Sequence, residues 1–314
     1  MEIVFLGTAG TVPTETRNHP ALVIDYLNEP FLFDCGEGTQ RQIRLAKINP
    51  MRINHIFITH FHADHILGLG GLIRSIDFMG RENELNIYAP PGFDRILENL
   101  ISIGAYRPNR FGINVRKAGE GVILEGENYK VTCTQTDHTG VRSVAYCFSE
   151  NDKRTFLKQK ALSLGVPEGR LFSKLQKGNP VEIEIKNNKN KNKILKKIIS
   201  PDDVLSDPVP GRKVVYTGDT KPCENVIKIA EGCDVLIHDS TFSEEQGEVV
   251  DDMGHSTAKQ AAVVAKSANV GSLYLMHISQ RYTEPEKLVK EARAVFEKSY
   301  IANDFMRVKV GKHW

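Results

Sequence analysis

Short apolar runs separated by turn-forming residues dominate the first half of the chain. Residues 3–6 read as a first strand, turned by Gly7-Thr-Ala-Gly-Thr-Val-Pro13. Residues 21–27 and 31–34 form an expected hairpin through Asn28-Glu-Pro30. Asp34-Cys-Gly-Glu-Gly-Thr39 leads into a short basic helix that stops before Asn49-Pro50, where proline forbids continuation. Residues 53–58, rich in β-branched and aromatic side chains, read as a buried strand. Beyond them Ile66, Leu69, Ile73 and Ile76 recur at helical spacing, with Leu72 and Met79 on a similar face. Strands are expected at 85–88, 130–135 and 143–148, and a helix at 94–103.

Past residue 150 the pattern changes. Gly165-Val-Pro-Glu-Gly169 and Lys177-Gly-Asn-Pro180 punctuate it, and residues 186–197 read as a solvated Lys/Asn-rich tract. Strands return at 213–216, 234–238 and 273–276, alternating with helices at 223–231, 258–268 and 286–298, and a last strand covers 306–310. Strands interleaved with helices in both halves define an α/β protein. Its 314 residues suffice for one large domain with an appendage.

Composition adds three limits. No apolar run reaches the length of a membrane span, and the apolar start lacks the basic region of a signal peptide. Five scattered cysteines, with no Cys-x-x-Cys, fit a reduced, cytoplasmic protein. Net charge is only +2, but residues 153–197 carry 13 lysines and arginines against three glutamates, a surplus of +10. The rest of the chain is then −8, so a basic appendage sits on an acidic body.

The densest chemistry lies in His60-Phe-His62-Ala-Asp64-His65, at the turn between the strand 53–58 and the helix after it. Four metal-capable side chains in six residues exceed what one tetrahedral ion with an open position needs, which points to two ions. Further donors end apolar runs at His138, Asp219 and His277. Thr257 and Gln260 fit a capping box, which places His255 just outside a helix N-terminus.

His60-x-His62-x-Asp64-His65 is the signature of the metallo-β-lactamase superfamily, and the chain resembles its ribonuclease Z branch. The resemblance implies an αββα sandwich with a protruding basic arm, residues 153–199, that grips the tRNA elbow. It implies two Zn2+ per chain, with His60, His62 and His138 on one, Asp64, His65 and His277 on the other, and Asp219 bridging. A shared water, activated for attack, would cleave pre-tRNA 3′ of the discriminator nucleotide, leaving a tRNA 3′-hydroxyl and a 5′-phosphate trailer. Asp64 would orient that water or take its proton. By the same resemblance His255, in Gly254-His-Ser-Thr257, would be the acid for the leaving oxygen and Asp239 its partner, where the branch usually carries Glu. Pro13-Thr-Glu-Thr-Arg-Asn18 is similar to a branch loop that has lysine where Glu15 stands, and makes Arg17 and Asn18 substrate contacts. His277-Ile-Ser-Gln-Arg-Tyr282 likewise places Arg281 near the scissile phosphate. Glu168, Arg170 and Ser173 depart from the branch's arm segment. Branch members with an arm usually dimerise, so the resemblance also implies a homodimer. Two other readings stay open: a hydrolase of small phosphodiesters, thioesters or lactams, and a noncatalytic RNA-binding protein.

Overall fold

The computed structural model describes residues 1–186, 194–246 and 252–311. The chain divides into two compact units, Met1–Ser149 with Arg212–Trp314, and Glu150–Gly211.

The first unit contains two seven-stranded sheets. In one, β1 (Glu2–Gly7), β2 (Ala21–Tyr26) and β3 (Glu29–Phe33) run antiparallel. They continue in parallel through β4 (His55–Phe57), β5 (Leu85–Ala89) and β6 (Ile113–Lys117). The other begins with β7 (Gly121–Glu125), β8 (Tyr129–His138) and β9 (Val141–Glu150). Past the appendage come β12 (Lys213–Tyr216), β13 (Val235–Asp239), β14 (Leu273–Met276) and β15 (Ser299–Ile301), mutually parallel. The last strand, β16 (Arg307–Lys309), returns to the first sheet and pairs with β1.

Alternation along each strand sends one set of side chains inward. Phe5, Phe31, Phe33 and Phe57 of the first sheet meet Tyr146, Phe148, Val214 and Ile237 of the second in a buried core. The opposite set of the first sheet, including Val4, Leu32 and Ile87, packs under α1 (Thr39–Leu45), α3 (Gly68–Phe78) and α4 (Phe93–Ser102). The second sheet's outer set, including Val215, Leu236 and Leu275, is covered by α7 (Glu224–Ala230), α8 (Ala258–Ser267) and α9 (Glu286–Arg293). The layers are helix, sheet, sheet, helix.

Two expectations change here. Met79 is not a core residue: α3 ends at Phe78, and both side chains stay exposed while Leu69, Leu72, Ile73 and Ile76 are buried. The helix expected over 286–298 stops at Arg293, because the chain must turn to feed β15.

The second unit has α5 (Lys158–Ser163), α6 (Arg170–Gln176) and a hairpin of β10 (Val181–Lys186) with β11 (Ile194–Ile199). It has its own core, in which Ala161, Val166, Leu175, Val181, Ile183 and Ile199 are buried. The unit extends beyond 153–199 because Val204 joins that core and Leu205 bridges to Phe156. Residues 194–197, expected as solvated tract, are strand; Ile199, at its end, is buried in the unit's core while Ile198 faces outward. The rest of that tract, 187–193, lies outside the described residues.

Candidate metal centre

Strand ends of both sheets converge on one site. β4 delivers His60 and His62, α2 (Ala63–Ile66) carries Asp64 and His65, and β8 ends on His138. Asp219 follows β12 and His277 follows β14. Ligand-capable atoms of His60, His62, His138 and Asp219 lie within 4.8 Å of one another, as do those of Asp64, His65 and His277. Asp219 stands between the groups: its Oδ2 is 3.5 Å from His60 Nε2, 3.3 Å from His65 Nε2, 4.0 Å from His138 Nε2 and 3.2 Å from His277 Nε2.

Which ring nitrogen faces the centre follows from where the protons must go. Asp34 accepts from His65 Nδ1 (2.8 Å) and from the Thr59 hydroxyl (2.9 Å). The Thr59 proton being spent on Asp34, its oxygen accepts from His60 Nδ1 at 3.0 Å. The Thr241 hydroxyl likewise donates to Asp239 (2.7 Å) and accepts from His277 Nδ1 (2.7 Å). His138 Nδ1 donates to the Gly254 carbonyl at 2.6 Å. Four Nε2 lone pairs therefore point inward, and those of His60 and His65 are buried with no hydrogen-bond partner. His62 turns its Nδ1 inward instead, 3.2 Å from His138 Nε2. Lone pairs converging on two carboxylates without a donor are unfavourable unless a cation lies among them. The residues present fit a metal.

Charge on these groups agrees. Burial, then the neighbouring His65, holds His60 well below the ordinary imidazole range, and burial with His138 lowers His62. Burial opposes ionisation of Asp219, but His277, His65 and His60 outweigh it and hold the carboxyl well below its usual range. His65 is the exception: burial opposes its charge, but Asp219 and Asp34 outweigh burial and lift it well above the usual value, so an ion binding at its Nε2 would displace a proton.

His255 lies beside the centre, its ring 5.0 Å from that of His138 and 5.1 Å from that of His277. Its Nδ1 meets Asp239 Oδ2 at 2.8 Å, so aspartate reaches where the family pattern has glutamate. Burial pulls the His255 imidazole down, but the Asp239 charge and hydrogen bond lift it to about 9. The capping box forms, with Thr257 and Gln260 each bonding the other's backbone N–H. Gly254 is left-handed (φ 75°), and a Cβ there would fall 2.8 Å from His138 Nδ1.

The expected substrate contacts divide. Arg281 is exposed, its guanidinium 5.0 Å from the centre of the Phe242 ring, which in turn lies 6.2 Å from the His255 ring. Arg17 is only 8% exposed and gives its guanidinium to Thr8, Ala302 and Asn303. Asn18 bonds the Glu37 carbonyl through Nδ2. The expectation of a substrate contact is revised for Arg17, whose guanidinium the protein encloses, while the half-buried Asn18 spends one Nδ2 hydrogen on Glu37. Sequence reasoning missed Asp34, although it also ends an apolar run, and Thr241, which carried no signal.

Residues 1–159 match the family model described as Anti-Pycsar protein Apyc1, and residues 202–278 match the Beta-lactamase superfamily domain. Ribonuclease Z of Methanothermobacter thermautotrophicus is 45% identical over 310 residues, covering 99% of this chain and 97% of that protein. Ribonuclease Z of Methanosarcina acetivorans is 43% identical over 312 residues, covering 99% and 98%. Among solved structures, human tRNase Z, short form, superposes with a TM-score of 0.69 at 23% identity, covering 99% of this chain and 100% of that one. The metallo-β-lactamase fold protein YhfI from Bacillus subtilis gives 0.68 at 19% identity, covering 98% and 99%. The structural likenesses establish the metallo-β-lactamase fold. The full-length identities go further, and on them the chain belongs to the ribonuclease Z family of endonucleases.

Proposed function

We propose that this protein is a di-zinc endoribonuclease that removes 3′ trailers from pre-tRNA. The cut falls 3′ of the discriminator nucleotide, leaving a tRNA 3′-hydroxyl and a trailer 5′-phosphate. The carrying observation is the convergence of inward lone pairs of His60, His65, His138 and His277 on Asp219 and Asp64. His60, His62 and His138 would hold one ion, Asp64, His65 and His277 the other, and Asp219 both. Zinc supplies the Lewis acidity that makes water a nucleophile near neutral pH and offsets phosphate charge.

The chain's own groups do the rest. Asp64 orients the attacking water or takes its proton. His255, charged at neutral pH through Asp239, gives a proton from Nε2 to the departing ribose oxygen. Arg281 offers an exposed guanidinium to the phosphate backbone. The unit of residues 150–211 carries the basic surplus and binds the tRNA body. The enzyme works as a homodimer in the cytoplasm, the latter consistent with five free thiols. Among the described residues, no helix is long and apolar enough to cross a membrane.

Cleavage of an unprocessed tRNA transcript, with both new ends mapped, tests the reading. A 3′-hydroxyl after the discriminator and a 5′-phosphate trailer are expected. Hydrolysis of small phosphodiesters with no trailer cleavage would favour the small-substrate alternative. Replacing residues 151–210 by a short Gly/Ser linker is feasible because Ser149 and Lys213 are paired neighbours. That variant is expected to raise KM for pre-tRNA greatly, since remote contacts bind ground and transition states alike. Its salt dependence should flatten, each lost phosphate contact removing about 0.9 from the slope on duplex. Turnover of a small chromogenic phosphodiester should persist.

Asp34→Ala would leave His65 Nδ1, Thr59 and the Tyr216 hydroxyl without their shared acceptor. Apparent metal affinity should fall by about 10–100-fold, as for other outer partners of metal-bound histidines. Competition with a chromogenic chelator measures it.

A further inference from the structure

His277 adopts φ 63°, the left-handed region that a Cβ disfavours. Such a residue persists only where its surroundings hold it. Two backbone bonds do so. The Ile278 N–H donates to the Thr8 carbonyl at 3.0 Å, and the Gly10 N–H donates to the Ile278 carbonyl at 2.9 Å. Residues 8–10 therefore run alongside Ile278, and Ala9 forms a parallel bridge with it. The imidazole lies against Gly10, where a Cβ would sit 3.2 Å from His277 Cε1.

What fixes residues 8–10 is a polar ring. Arg17 Nη1 donates to Thr8 Oγ1 at 2.7 Å and to the Ala302 carbonyl at 2.6 Å, and Nη2 donates to Asn303 Oδ1 at 2.7 Å. Thr8 Oγ1 passes its own proton to Asp304 Oδ1 at 2.8 Å. Asp304 Oδ2 accepts from the Asn18 N–H at 2.8 Å and from Gln42 Nε2 at 3.0 Å. The segment carrying Asp304 is tied to both sheets: Phe305 N–H donates to the Phe5 carbonyl, and Ala302 N–H to the Leu275 carbonyl. A hydroxyl bonded on both sides cannot turn without breaking one partner.

We infer that Thr8, Arg17 and Asp304 are positioning residues that hold His277 ready for a metal ion. Arg17 acts through Thr8 and not by touching RNA. The inference rests on the reading of His277 as a ligand.

The test uses the metal-loaded, full-length protein and the variants Thr8→Val, Arg17→Lys and Asp304→Asn, with Thr8→Ser as the conservative control. Graded chelation should remove one of two ions at chelator concentrations about 10–100-fold lower in the first three variants. Thr8→Ser, which keeps the hydroxyl, should behave like wild type. In the three variants kcat should fall while KM for pre-tRNA moves little. Their melting temperatures should drop more in the loaded than in the metal-free state. Equal drops in both states would mean that the ring only holds the fold, and would overturn the inference. So would an Arg17→Lys variant with raised KM and a flatter salt slope beside normal Thr8→Val and Asp304→Asn. Wild-type protein that takes up no ion overturns the ligand reading and this inference with it. Wild-type binding with unaltered variants overturns the inference alone.

Discussion

His255→Ala is expected to slow precursor cleavage by about 10²–10⁴-fold, the usual worth of a positioned acid or base. Metal content should not change. The ring has the geometry for the role: Asp239 holds Nδ1 at 2.8 Å, which leaves Nε2 as the proton to give. The carboxylate's pull, lifting the imidazole to about 9, keeps the acid form populated at neutral pH. The active form is the protonated one, so the rate should fall as pH rises through the His255 value, which bound cations would shift lower. The alanine variant should lose that alkaline limb. A substrate whose leaving group needs no proton should partly restore its rate. Loss of metal on substitution would instead make His255 a ligand, a possibility the geometry makes worth excluding, since it shares a compact group with Asp219, Asp239 and His277.

Asp219→Ala should weaken both metal sites at once, a larger loss than the roughly 10–100-fold carried by an outer partner. One carboxylate oxygen lies within 4.0 Å of four imidazole nitrogens drawn from both groups, so its removal touches both sites. Metal analysis of the purified variant and of wild type decides the matter. Two ions are expected in wild type, and neither should survive dialysis in the variant. A variant that keeps one ion tightly would assign Asp219 to a single site, and fully active wild type with one ion would end the two-ion mechanism.

The parts of this site that could be read from sequence were those whose chemistry is local. His60 to His65 are contiguous, and His138, Asp219 and His277 each end an apolar run. Asp34 ends such a run too, after Phe31–Phe33, but a carboxylate before Cys-Gly reads equally well as a turn. Its role appears only when β12 brings the Tyr216 hydroxyl to it at 2.8 Å. Arg17 was misjudged for a related reason. A loop arginine is ordinarily solvated, and nothing near it in sequence shows that Ala302 and Asn303 will enclose it. In the second unit, the adjacent Lys196 and Lys197 masked a strand that is held to the core by Ile199. The helix at 286–298 ran too long in the reading because Val295 and Phe296 keep helical spacing while the chain is already turning.

Both sheets contribute to the centre, and this has a consequence in time. The donors are spread from His60 to His277, so no contiguous stretch of chain can assemble them. Contacts between residues so far apart in sequence form slowly, after local structure. A metal that needs several preplaced ligands gains little from an incomplete set. A partly folded chain is therefore an unarmed one, and the power to cut RNA arrives only once the two sheets have come together.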